Sequence, residues 1–272
     1  MTPATERIMA LARKDAAELI RNPGATVPAV LMVLGALFPG FLVVIGTPMI
    51  AGRTLEESGE FADEAAQAMA SIPELAGLSG NALIQAFLFH QFALLLLLVP
   101  VVAATALATH AVIGEKQSKS LEPLLATPIS TLELLAAKTL TPFLFALALT
   151  WIAAALYIAG ILAFGEPGVW LTALGLRTFI LFVIVGPLVE LATLLVSVTV
   201  SSRANDPRSA QQLTSLLILP ITAVFIAQLM GAFVLQASTL LLAAAGLLPV
   251  NGLLLIVGIR VFQRETILTR WK

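Results

Sequence analysis

GEKQSKSLEPLLATPISTLELLAAK, residues 114–138, is a short polar interruption between two long apolar runs, and the architecture of the chain turns on it. It carries three lysines and three glutamates, but also Leu121, Leu124, Leu125, Ile129, Leu132, Leu134 and Leu135, more apolar surface than a solvated loop needs. Ser120 is placed to cap a short helix, with Glu122 in its first turn, where the helix dipole favours an acid. Thr127-Pro128 ends that helix, because the residue before a proline is pushed out of the helical region. Ser130-Thr131-Leu132-Glu133 then forms a capping box that starts a second helix running on into the next apolar run. The stretch reads as an elbow at a membrane boundary with leucines on one face. Two roles fit that pattern: a piece gripped by another protein, or an interfacial helix whose leucines lie among lipid headgroups.

Working outward, the flanking runs set the fold class. The chain has 272 residues, 59% of them hydrophobic and only 11% charged, whereas soluble domains average about a quarter charged. The charges are confined to islands, and the runs between them can cross a hydrocarbon core of roughly 30 Å, which takes about 20 helical residues. We therefore expect an all-α, polytopic membrane protein forming one transmembrane domain over 1–272. Its six spans fall at about 25–48, 82–113, 139–164, 177–201, 212–236 and 238–260. Residues 1–24, with Ile8, Leu11, Ala12, Leu19 and Ile20 at helical spacing, read as an amphipathic interfacial helix. The first span is too long for a cleaved signal peptide and lacks a clear cleavage site. Pro28 and Pro39 lie inside it, and Pro100 is placed to kink the second span. Tight turns are expected at 165–170 and near Gln236–Ser238. The one long loop, 49–81, holds six acids and a single base, Arg53, and is read as a solvated acidic loop in preference to a short surface helix over Glu60–Ala70.

Basic residues orient the bundle. Thirteen of the fifteen lysines and arginines lie in the N-terminal segment, the elbow, the 201–208 loop or the tail. Only Arg53 and Arg177 fall on the opposite face. By the positive-inside rule both termini and the elbow are cytoplasmic and the acidic loop is outside.

The order Gly-Glu-Lys, then Ser-Leu-Glu-Pro-Leu-Leu-Ala-Thr-Pro-Ile-Ser, then Glu-Leu-Leu-Ala-Ala-Lys resembles the segment between the second and third spans of ABC-2 type transporter permeases. In that family the segment is the coupling element that docks on a separate ATP-binding subunit. The resemblance implies coupling roles for Glu115, Lys116, Ser120, Leu121, Glu122, Leu124, Leu125 and Pro128. It further implies a half-transporter of the cell membrane, paired with a second permease subunit, homologous or identical. Two ATPase subunits would clamp the elbows and bind the ATP and magnesium, leaving this chain without a cofactor. Family members mostly export, and their substrates include drugs, lipids, polysaccharides and ions. Lipid is an expected partner and nucleic acid is not.

The residues themselves agree that any ATP chemistry belongs to a partner. No Gly-x-x-x-x-Gly-Lys-Ser/Thr cradle occurs, and no Rossmann glycine fingerprint. All three aspartates (Asp15, Asp63, Asp206) lie in loops or surface segments, and the two histidines, His90 and His110, are 20 apart without a His-Glu-x-x-His pattern. Paired-aspartate proteolysis and zinc hydrolysis are therefore not expected, no metal site is expected, and the absence of cysteine removes thiolate chemistry. Glu190 is the one acid inside a span, three residues after Pro187, where a charge is costly unless it faces a bundle interior or a wet cavity. It is a candidate pathway or gate residue, or a neutral carboxyl tying helices together. Pro249, Asn251 and Gly252 make a second polar break, with Asn251 either at the pathway or a helix-packing residue. Gln228 and His90 receive no role. Two rival functions remain. One is an ion-coupled transporter or channel working through Glu190, which should show a three-span repeat that the second and fifth spans do not support. The other is an ABC-like assembly or sensing component that does not transport.

Overall fold

The computed structural model describes residues 23–117, 131–203 and 206–261, together with Arg13, Ala17 and Arg21. Among the described residues, six helices are long and apolar enough to cross a membrane: Thr26–Ala51, Gly80–Thr109, Thr139–Phe164, Leu176–Ser202, Arg208–Leu229 and Ala237–Val261. No strand occurs among the described residues. The fold class is thus the all-α, six-span architecture that the apolar runs dictate. The interfacial helix over 1–24 falls almost entirely outside the described residues, as does most of the tail.

The second span is the axis. Of its most apolar stretch 89% is buried, against 17% for the fifth and sixth spans, so the others pack around it and turn their remaining faces to lipid or a partner. Three of the spans change winding beside a proline. A π turn at Leu42–Gly46 precedes Pro48, a 3₁₀ turn at Ala93–Leu97 precedes Pro100, and a π turn at Ile180–Val185 precedes Pro187. A proline has no N–H for the carbonyl four residues back, and its ring crowds that carbonyl. Here those carbonyls belong to Val44, Leu96 and Val183, each inside the irregular turn, so the helix repacks locally rather than breaking. Pro28 and Pro39 sit within an uninterrupted helix, Pro23–Phe41.

The first three spans are knit by an aromatic triad. Phe41, Phe89 and Tyr157 hold ring centroids 5.4, 5.7 and 5.8 Å apart in tilted and edge-on arrangements, and the Tyr157 hydroxyl donates to the Phe89 carbonyl at 2.6 Å. Gly160 makes room for this, since a Cβ there would lie 2.4 Å from Phe41 Cζ.

Two expectations are corrected. The acidic loop is not a solvated strand of chain but a folded cap, with helices Leu55–Ser58 and Ala62–Met69 and a 3₁₀ turn at Pro73–Leu75. Five of its six acids face outward, Glu74 being half-buried, while Leu55, Ala65, Ala68, Ile72 and Leu75 are buried in the same cluster as Leu83, Ile84 and Phe87 of the second span. Thr54 and Glu57 form a capping box, and Asn81 stitches the cap to the 165–170 turn. Asn81 accepts from the Leu55 amide, donates its own amide to Glu56, and donates its side chain to Glu166. The fifth span also starts and stops earlier than 212–236. Asp206 caps it, accepting from the Ser209 amide at 3.0 Å ahead of Pro207, and it ends at Leu229 because Gly231 takes a positive φ of 72°. Residues 230–236 therefore form a non-helical return rather than a tight turn at 236–238, and Val234 and Leu235 fold back onto the core.

Candidate functional site

Glu190 lies in the helix Gly186–Arg203, one turn past the π turn that Pro187 imposes. It is fully buried, and among the described residues neither carboxylate oxygen has a hydrogen-bond partner. The group looks toward the backbone at Leu147 on the third span without closing a hydrogen bond to it. Asn251 comes to the same level from the sixth span. Its Nδ2 donates to the carbonyls of Leu188 at 3.0 Å and Leu247 at 2.9 Å, so its amide ties the sixth span to the fourth two residues before Glu190. The structure thus brings the two candidate pathway residues onto adjacent helices.

A second polar centre, which sequence reasoning missed, lies at the acidic-loop end. The distribution of basic residues puts Arg177 on the acidic-loop face, and the structure buries it there, 3% exposed. Its Nε donates to the Leu235 carbonyl at 2.7 Å and its Nη1 lies 3.2 Å from His90 Nδ1. A guanidinium has no acceptor, so His90 Nδ1 must be the bare nitrogen, which makes the ring neutral with its proton on Nε2. Among the described residues that Nε2 has no partner. Glu74, whose carboxylate lies over Gly175, supplies compensating negative charge. Nearby, Gln228 is buried with both amide atoms unpartnered, beside a cavity of about 50 Å³ that Glu64, Gln67 and Gln91 also line, enough for bound water. Arg177 opens a span, and nothing in the local pattern says that the return 230–236 folds over it.

Between the second, fourth, fifth and sixth spans lies an apolar cavity of about 570 Å³, lined by residues such as Leu97, Val101, Val189, Ile221, Leu247 and Val250. Its walls offer almost nothing polar beyond Thr193, whose hydroxyl is spent on the Val189 carbonyl. At the opposite end from the acidic cap, the helix Leu98–Gln117 carries the second span as far as the elbow, and the helix Thr131–Phe164 carries the third away from it. Glu115 and Lys116 lie on the first of these helices. Ser120, Leu121, Glu122, Leu124, Leu125 and Pro128 lie outside the described residues. Among the described residues no three metal-ligating side chains come together.

Over residues 9–257 the sequence matches the family described as ABC-2 family transporter protein. The chain belongs to that family. It is a multi-pass membrane component of an ABC transporter, the part distinct from the ATPase. No individually curated protein matches it closely enough to narrow the assignment.

Proposed function

We propose that this permease is the membrane half of an ATP-driven exporter, working as a dimer and powered by a separate ATP-binding subunit that grips the elbow. The observation that carries the reading is the pair of helices Leu98–Gln117 and Thr131–Phe164, each one continuous piece from a span to the edge of the elbow. A push on residues 118–130 is then delivered without slack to the most buried helix of the fold and to its neighbour, a rigid-body switch of the kind that alternates access. In this reading the elbow end is cytoplasmic, and Glu115, Lys116, Ser120, Leu121, Glu122, Leu124, Leu125 and Pro128 carry the contact with the ATPase. ATP and magnesium stay on the partner. Glu190 and Asn251 border the moving helices and act at the pathway or its gate. The second subunit packs against the little-covered fifth and sixth spans, beside the apolar cavity.

The test is co-purification of the tagged protein from its native host in mild detergent. A stoichiometric ATP-binding subunit, lost when the elbow leucines are replaced, is the expected result. A folded oligomer that never brings down an ATPase would overturn the reading and favour ion-coupled transport through Glu190.

A further inference from the structure

The helix Gly186–Arg203 carries a polar stripe below Glu190. Ser197 and Ser201 follow at seven and eleven residues, and at 100° per residue all three point within about 40° of one another, spanning about 16 Å toward the elbow end. All three are fully buried, and among the described residues none of their side-chain oxygens has a partner. Buried hydroxyls in apolar helices normally satisfy themselves on the carbonyl four residues back. Thr150, Thr193, Thr199, Thr214 and Thr222 do so here, at 2.6 to 3.0 Å. Ser197 and Ser201 do not, and neither do Thr105 and Thr109 at the same end of the second span. Unpartnered buried groups on this scale signal a missing partner, ordinarily water. Small side chains face this side of the helix: Ala104 and Ala108 of the second span and Ala146 of the third cluster with the neighbouring Leu194 and Val198.

We infer that the stripe from Glu190 through Ser197 to Ser201 is a proton-access route between Glu190 and the elbow side, filled by water when the spans move apart. A lone carboxylate is not held at this depth without a counter-charge. The described titratable side chains on the packed elements are Glu133 and Tyr157 on the third span, Arg208 on the fifth and Arg260 on the sixth, all at other levels of the bundle. Among the described residues Glu190 meets no counter-charge, and the route takes it to rest in its acid form. When the stripe hydrates, the acid passes its proton to a water beside it and becomes a carboxylate. The proton leaves along hydrogen-bonded waters past Ser197 and Ser201, and the reverse transfer restores the acid. Only water and the proton are needed. The assignment of the elbow side as cytoplasmic rests on the distribution of basic residues and on the reading proposed above, but the route itself does not.

The chain has no cysteine, so single cysteines report cleanly. Ser197→Cys, Ser201→Cys and, as a dry control off the stripe, the equally buried Leu195→Cys are treated with a membrane-impermeant thiosulfonate in right-side-out and inverted vesicles of the native host. The two stripe cysteines should react severalfold faster than the control in inverted vesicles alone. Reaction no faster than the control in either orientation, with or without ATP and vanadate, would overturn the route, as would access only from the acidic-loop side. Labelling indifferent to ATP and vanadate would uphold the route while counting against ATP-driven motion of these spans. Independently, modification of Glu190 by a hydrophobic carbodiimide, absent in Glu190→Gln, should fall as pH rises on the elbow side. Dependence on the pH of the other side would refute the proton's path.

Discussion

Arg177 and His90, 87 residues apart, meet in the interior at 3.2 Å, with Arg177 also clasping the Leu235 carbonyl, so one guanidinium joins the second span, the fourth span and the return 230–236. Replacing it by methionine keeps the bulk but leaves His90 Nδ1 and the Leu235 carbonyl without donors. A buried group stripped of its partner costs about 1–3 kcal/mol. Arg177→Met should therefore lower the unfolding temperature of the detergent-purified protein, while Arg53→Met, at an exposed position, should leave it unchanged. Equal stability of the two variants would show that the clasp does not hold the return in place.

At Gly160 the third span leaves room for a ring of the first. An added Cβ would sit 2.4 Å from Phe41 Cζ and 2.9 Å from Cε1, and the ring is hemmed in by Phe89 and Tyr157. Overpacking of this kind costs about 1–3 kcal/mol. Gly160→Ala should reduce thermal stability, and the second change Phe41→Leu should recover much of the loss. Additive rather than compensating effects in that double-mutant cycle would rule out the direct contact.

What was legible in the sequence follows its physics. Spans are announced by uninterrupted apolar length, so their number and class could be read directly. Glu190 was equally visible, because a carboxylate in an apolar run has no ordinary explanation. Arg177, His90 and the acidic cap were not legible, because each depends on segments far apart in the chain. Leu55, Ala65 and Leu75 look like sparse apolar residues in an acidic loop until the second span is there to bury them. The end of the fifth span was misjudged for a related reason: Phe233, Val234 and Leu235 continue the apolar run, and Gly231 breaks it only through its backbone conformation.

Asp206 gives the fold a small acid-sensitive joint. Its carboxylate accepts from the Ser209 amide and hydroxyl, both at 3.0 Å, and the amide bond above all holds its pKa below the ordinary aspartate value of 3.8. A folded value lower than the unfolded one contributes stability above the unfolded value, lost as pH falls through the folded one. The protection of the Ser209 amide, measured as its exchange rate relative to the intrinsic rate at the same pH, should thus hold at neutral pH and fall as pH drops below about 3.8. Asp206→Asn, which still caps, should flatten that dependence, and an unaltered pH profile in the variant would remove Asp206 as its source.

Leu125→Asp addresses coupling itself. If the elbow is gripped through its leucines, a charge at Leu125 must be buried against the ATPase without a partner, and truncating or charging such an anchor is what uncouples an interface. The spans do not include this position, so folding and membrane insertion should be preserved. The expected outcome is a permease that reaches the membrane at normal levels but no longer retains the ATPase on purification, with substrate export falling in parallel. Glu190→Gln makes the opposite forecast. Its site lies in the bundle, well away from the elbow, so the ATPase should remain bound and ATP hydrolysis should continue while export is altered. Measuring subunit retention, hydrolysis and export in both variants separates the lever from the pathway. Loss of the ATPase in Glu190→Gln, or its retention in Leu125→Asp, would show that the two ends of the permease do not divide the work in this way.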